Sequence, residues 1–171
     1  MRTLILGGTA SGKSRLALRM ALSAPSPRVF IATAEPTDQE MEEKIARHRR
    51  ERGGKFLTLE EPLDLAGALR RSSGRTTVVD CLTVWVGNLL HYGEDPEGRF
   101  RDLVEEVKTF SGRLFLVSNE VGLSPVAPDP LTRRYVNLLG RLNRTLASLC
   151  EEVLLVVAGC VIPLKPFPGK P

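Results

Sequence analysis

The stretch Met1–Ser14, MRTLILGGTASGKS, decides how the chain is read. Thr3 to Leu6 is an apolar run too short for a helix, and it reads as a buried strand. It runs straight into Gly7-Gly8-Thr9-Ala10-Ser11-Gly12-Lys13-Ser14, which fits G-x-x-x-x-G-K-S. Small residues let the backbone curl so that several N–H groups converge on one cluster of phosphate oxygens. A helix opening near Gly12 aims its positive end at the same point. Lys13 adds a mobile cation for the outer phosphates, and the Ser14 hydroxyl is suited to a Mg²⁺ site. The chain is therefore expected to bind a nucleoside triphosphate or a molecule of that shape.

Composition narrows the remainder. With 171 residues the chain fits one domain, able to bury about 70% of its unfolded surface without staples. The domain is read as residues 1–162, with 163–171 as a loosely held Pro/Gly/Lys-rich tail. Cys81, Cys150 and Cys160 form neither a disulfide framework nor a metal-ligand spacing, which fits a reducing cytoplasm. No apolar run reaches membrane-spanning length, and the N-terminus is already strand rather than a signal segment. The net charge of +4, from 24 basic and 20 acidic residues, suits anionic ligands. Aromatic residues are scarce and form no stacking platform, so a nucleic-acid partner is not expected.

Strands and helices alternate along the chain. Lys13 to Leu22 carries a helical stripe, and Arg28 to Ala32 reads as the second strand. Thr37 to Arg52 is the next helix, with a Thr37/Glu40 capping box, acidic first turns and basic last turns. On it Met41, Ile45 and His48 share one face. Lys55 to Leu59 is the third strand, Leu63 to Arg71 a helix and Thr76 to Asp80 a strand. A helix over Thr83 to Leu90, a loop to Pro96 and a helix built on Phe100, Leu103, Val104 and Val107 follow. Leu114 to Val117 is a strand, and the proline-rich Leu123 to Pro130 is a loop. A long helical stripe from Leu131 to Leu149 leads to a last strand, Glu152 to Ala158. This alternation predicts an α/β fold, a mostly parallel sheet with helices on both faces.

Three groups of residues have chemistry to offer. Asp80, ending a β-branched strand, can hold Mg²⁺ beside Ser14, or simply cap the following turn. His48 is either a half-buried helix residue or a nucleophile. The cationic neighbourhood of Arg47, Arg49, Arg50 and Arg52 keeps its ring neutral and could hold an incoming triphosphate, although a basic helix end is also ordinary solvated surface. A neutral imidazole beside a triphosphate can attack the α-phosphorus and form a phosphoramidate. Asn137, Arg141 and Arg144 on the long helix are either surface or a further anion contact.

Together these stretches resemble the bifunctional adenosylcobinamide kinase / adenosylcobinamide-phosphate guanylyltransferase family of cobalamin biosynthesis. The resemblance runs nearly end to end, through GGTASGKS at 7–14, IATAE at 31–35, ARHRRER at 46–52, TLEEP at 58–62, DCLTVWVGNLL at 80–90, VSNEVG at 117–122, GRLNRTLA at 140–147 and EVLLVVAG at 152–159. It implies a RecA-like P-loop NTPase sheet, a homotrimer and two reactions. ATP or GTP phosphorylates adenosylcobinamide, and GTP then transfers GMP to the resulting phosphate with release of pyrophosphate. The guanylylated histidine of the family falls on His48 here. Nucleotide contacts fall on Gly7, Gly8, Thr9, Ala10, Ser11, Gly12, Lys13 and Ser14, on Ala32, Thr33 and Ala34, on Arg49, Arg50, Glu51 and Arg52, and on Glu60 and Asp80. Glu60 rather than Glu61 follows from the TLE register. Mg²⁺ would be shared by Ser14 and Asp80. After NEVG the family continues with a glycine-rich stretch, whereas this chain has Leu123-Ser124-Pro125-Val126-Ala127-Pro128, a stiffer loop. Two other readings stay open on the residues alone. One is a kinase in which His48 only packs. The other is a non-catalytic nucleotide-sensing or nucleic-acid-associated subunit that uses the basic helix as its contact.

Overall fold

The computed structural model describes residues 1–36 and 39–165; within the second helix the side chains of Glu40, Met41, Lys44, Arg47, His48, Glu51 and Arg52 lie outside the description. Seven strands form one sheet: β1 (Arg2–Gly7), β2 (Arg28–Ala32), β3 (Leu57–Glu60), β4 (Arg75–Asp80), β5 (Gly112–Asn119), β6 (Glu152–Val157) and β7 (Cys160–Lys165). Their order is β3-β2-β4-β5-β1-β6-β7, parallel except for the antiparallel β6–β7 pair. The helices are α1 (Lys13–Leu22), α2 (Gln39–Arg52), α3 (Leu65–Ser72), α4 (Leu82–His91), α5 (Pro96–Thr109) and α6 (Pro130–Leu149).

The period of two along each strand sorts the core into two layers. Leu4, Leu6, Val29, Ile31, Val79, Leu114, Leu116 and Val153 face one way and pack with residues of α3, α4, α5 and α6. Their neighbours Ile5, Phe30, Val78, Phe115, Val117, Leu154 and Val156 face α1. Nearly continuous apolar strands are what a parallel sheet covered on both faces requires.

Several boundaries differ from the sequence expectation. α5 begins at Pro96, not near Phe100, because the Asp95 carboxylate accepts hydrogen bonds from Glu97 N and Gly98 N and Pro96 occupies the first turn. α6 begins the same way: Asp129 accepts from Leu131 N and Thr132 N, so Pro130 is helix rather than loop. β3 is shifted to Leu57–Glu60. The sheet does not end at Ala158. Ala158 and Gly159 turn the chain with φ of 50° and 79°, and Cys160–Lys165 returns along β6 as an edge strand containing Pro163. The capping box of Thr37 and Glu40, and the placement of the His48 side chain, fall outside the described residues.

Candidate active site

All the parallel strands point their C-terminal ends to one rim, where ligands sit in open α/β sheets. The phosphate loop follows β1, between the ends of β5 and β6 on that rim. Gly7 has no room for a side chain: a Cβ there would lie 2.5 Å from Val156 O and 2.6 Å from Ser11 Oγ. Gly12 caps α1 at φ 97°, in the left-handed region that glycine adopts at little cost. Lys13 is buried to 9% exposure and donates to Gly8 O at 3.0 Å, so its ammonium lies within the loop. Ser11 Oγ is buried and finds no partner among the described residues.

Ser14 Oγ donates to Asp80 Oδ1 at 3.1 Å, although 66 residues separate the two. The end of β4 therefore delivers its carboxylate to the start of α1. A hydroxyl and a carboxylate are the oxygen donors a hard divalent cation takes, and phosphate and water oxygens can complete such a shell. Among the described residues no three His, Cys, Asp or Glu side chains gather as a metal cage. The next residue, Cys81, has its thiol pushed up to about 11, chiefly by burial and then by the Asp80 charge.

On the β2 side, Thr33 is fully buried. Its hydroxyl donates to Cys81 O at 2.8 Å and accepts from Cys81 N at 2.9 Å. Its own N–H donates to Asp80 O at 3.2 Å. Thr33 thus clamps the end of β2 to the end of β4, while the flanking Ala32 and Ala34 are partly exposed at the rim. Asn88 on α4 secures the clamp by donating to Thr33 O at 2.9 Å and Pro62 O at 3.2 Å. Farther along the rim Arg49 forms an ion pair with Glu60, which brings together the last turns of α2 and the end of β3. Glu61 is otherwise engaged: its carboxylate accepts from Asp64 N at 2.9 Å and Leu63 N at 3.3 Å and pairs with Arg71 at 3.3 Å. Arg50 is exposed on α2, and the side chains of His48, Glu51 and Arg52 lie outside the described residues.

On the β5 side a second polar layer supports the rim. Asn119 N donates to Thr83 Oγ1 at 2.6 Å, Tyr135 Oη donates to Thr83 O at 3.1 Å, and Asn143 Nδ2 donates to Asn119 O at 3.0 Å. Glu120 N donates to Gly7 O at 3.2 Å, tying this layer to the phosphate loop. Thr83, Asn88, Asn119 and Asn143 belong to the family-like stretches at 80–90, 117–122 and 140–147, and their sequence pattern alone assigns them no task. The signal was a polar residue at a strand's C-terminal end or inside an apolar helix stripe. Of the basic residues on α6, Arg141 pairs with Glu97 at the surface, and Asn137 and Arg144 are exposed.

A family model described as cobinamide kinase / cobinamide phosphate guanyltransferase matches residues 3–164. The bifunctional adenosylcobalamin biosynthesis protein CobP of Pseudomonas aeruginosa is 47% identical over 176 residues, spanning 100% of this chain and 99% of that protein. The bifunctional adenosylcobalamin biosynthesis protein CobU of Escherichia coli K12 is 33% identical over 183 residues, spanning 96% and 100%. Among solved structures, the flagellar accessory protein FlaH of Methanocaldococcus jannaschii superposes with TM-score 0.52 at 11% identity, over 96% of this chain and 77% of that one. An ATPase of a type III secretion system gives TM-score 0.51 at 14% identity, over 90% and 50%. These distant likenesses bear on the fold, a P-loop NTPase sheet.

Proposed function

Because the chain belongs to the cobinamide kinase / cobinamide phosphate guanyltransferase family, we propose that its one phosphate loop serves two successive transfers to a corrinoid side chain. In the first, the aminopropanol hydroxyl of adenosylcobinamide attacks the γ-phosphorus of ATP or GTP; a new P–O bond forms, the bridging P–O bond breaks and the nucleoside diphosphate leaves. In the second, a His48 nitrogen attacks the α-phosphorus of GTP, forming a P–N bond and releasing pyrophosphate. An oxygen of adenosylcobinamide phosphate then displaces His48 and takes the GMP, giving adenosylcobinamide-GDP.

The observation that carries this reading is the contact of Ser14 with Asp80 under a loop that already holds the Lys13 ammonium. The loop amides and Lys13 bind the outer phosphates, and transfer depends mainly on such positioning and charge neutralisation. Ser14 and Asp80 would hold Mg²⁺, whose charge offsets that of the phosphates when bound. Arg49 to Arg52 and Glu60 would line the approach to His48, which the Arg49–Glu60 pair supports. Ala32 and Ala34 would border the nucleotide directly and Thr33 would hold them in place, since its side chain is committed to Cys81 and its backbone groups to Asp80 and Asn88.

The assembly is proposed as a homotrimer from the family resemblance; exposed Ile162 and Leu164 on the edge strand give it apolar surface to cover. Light scattering checks it, and a single-chain mass near 18.8 kDa would refute it. No described helix is long and apolar enough to cross a membrane; the cytoplasmic setting is proposed from the cysteine usage. The catalytic proposal is tested by intact mass after incubation with GTP and Mg²⁺. A GMP-sized, acid-labile adduct on wild type and none on His48→Ala is expected. An adduct that survives in His48→Ala moves the nucleophile elsewhere. No adduct on folded, GTP-binding protein leaves a kinase alone.

A further inference from the structure

We propose that a cleft on the far side of the phosphate loop from Asp80 holds the nucleoside of the phosphoryl donor, so that the phosphoryl donor and the GMP donor lie on one loop in opposite directions. The second half of this statement rests on the reading of His48 given above.

The cleft opens between α1 and the β6–β7 hairpin and encloses about 460 Å³, lined by Gly12, Arg15, Leu16, Arg19, Val156 and Val161 among others. That volume lies within the range of small-molecule sites. It adjoins the loop directly: Gly159 N, in the hairpin turn, donates to Ser11 O at 3.1 Å. Leu16 and Val156 supply an apolar floor. Val161, paired in register with Val156, stands on the same face of the sheet and is 41% exposed. Arg15 and Arg19 lie one turn apart on α1, and neither side chain has a hydrogen bond or ion pair among the described residues. Apolar walls with an unpaired guanidinium at the edge suit a planar base, which a guanidinium can cover by stacking and cation–π attraction.

Direction follows from the sheet order. β4, β2 and β3 lie on one side of β1, and β6 and β7 on the other. A triphosphate whose outer phosphates meet Ser14 and Asp80 therefore points its nucleoside toward β6 and β7, where the cleft is. His48 is carried by α2, whose Arg49 meets Glu60 at the end of β3, on the opposite side. A triphosphate in the first pose presents its γ-phosphorus, not its α-phosphorus, toward α2. Attack by His48 requires the reversed pose, with the guanosine on the β2–β3 side.

The test is equilibrium binding of β,γ-imido-ATP with Mg²⁺, alongside the rate of GMP adduct formation from GTP. Val161→Trp, which fills the cleft from an exposed edge strand, is expected to weaken the ATP analogue by about tenfold or more. Arg15→Ala is expected to weaken it by about threefold to tenfold. Both should leave adduct formation within about twofold of wild type. Unchanged analogue binding in both variants overturns the cleft assignment. Equal losses in analogue binding and adduct formation overturn the two opposed poses in favour of one. Should wild type form no adduct, the reading of His48 fails, while analogue binding still decides the cleft.

Discussion

At the scale of single residues, the site holds more charge than its exposure suggests. Asp80 meets Ser14 in the loop's first helical turn, so Asp80→Asn keeps the shape and the hydrogen bond while removing the negative charge. Both transfers are expected to slow by about a hundredfold, and triphosphate binding in the absence of Mg²⁺ to be retained; rates measured across a Mg²⁺ series check this. Gly7→Ala places a methyl 2.5 Å from a backbone carbonyl that cannot turn aside. The expected cost is about 1–3 kcal/mol of stability together with lost nucleotide affinity, read by thermal melts with and without GTP. Thiol reactivity should separate the three cysteines. Burial pushes Cys81 up to about 11 and Cys150 up to about 12, and Cys160 is exposed. Because only a thiolate reacts, an Ellman titration near neutral pH should count one fast thiol in the folded protein and three after unfolding. A second fast thiol, Cys81, would mean that the rim around Asp80 is open to the reagent.

At the scale of elements, Arg2 and Glu151 tie the start of β1 to the turn between α6 and β6. The Arg2 guanidinium donates to Glu151 and to the carbonyls of Val107 and Lys108. Its hydrogen bond is the main reason that the Glu151 carboxyl is held at about 2, below the ordinary 4.5. A depressed carboxylate contributes stability that is present above its unfolded value and is lost as the pH falls through the folded one. The pair is partly exposed, so Glu151→Gln is expected to cost about 1 kcal/mol, or about 2–4 °C in melting temperature. That difference should be full at pH 7 and vanish toward pH 2; a constant difference across that range would exclude the ion pair as its source. The helix boundaries that differ from the sequence expectation also have local causes. Asp95-Pro96 and Asp129-Pro130 are both N-cap followed by first-turn proline. Reading proline as a loop residue hid in each case where the helix begins. The β6–β7 turn was hidden for a different reason: Ala158-Gly159 takes left-handed angles without the Asn-Gly or Asp-Gly pair that usually announces them.

At the scale of the whole molecule, the alternation of apolar strands and helical stripes was legible, because a sheet buried on both faces leaves its strands few alternatives to apolar residues. The phosphate loop was legible because its chemistry fixes residue types at fixed spacing. The order of the strands was not legible. It depends on contacts between distant residues, such as Thr33 with Cys81 and Asn119 with Thr83, which no local pattern encodes. That order nonetheless sets the economy of the reaction. One loop seats one triphosphate at a time, whichever way that triphosphate lies. ATP that serves the first transfer therefore excludes the GTP needed for the second. At fixed GTP, the rate of GMP adduct formation should fall along a competitive curve as ATP rises, and excess GTP should restore it. The balance of adenylate to guanylate around the enzyme would then act as a throttle, setting how long the phosphorylated corrinoid waits for its nucleotide.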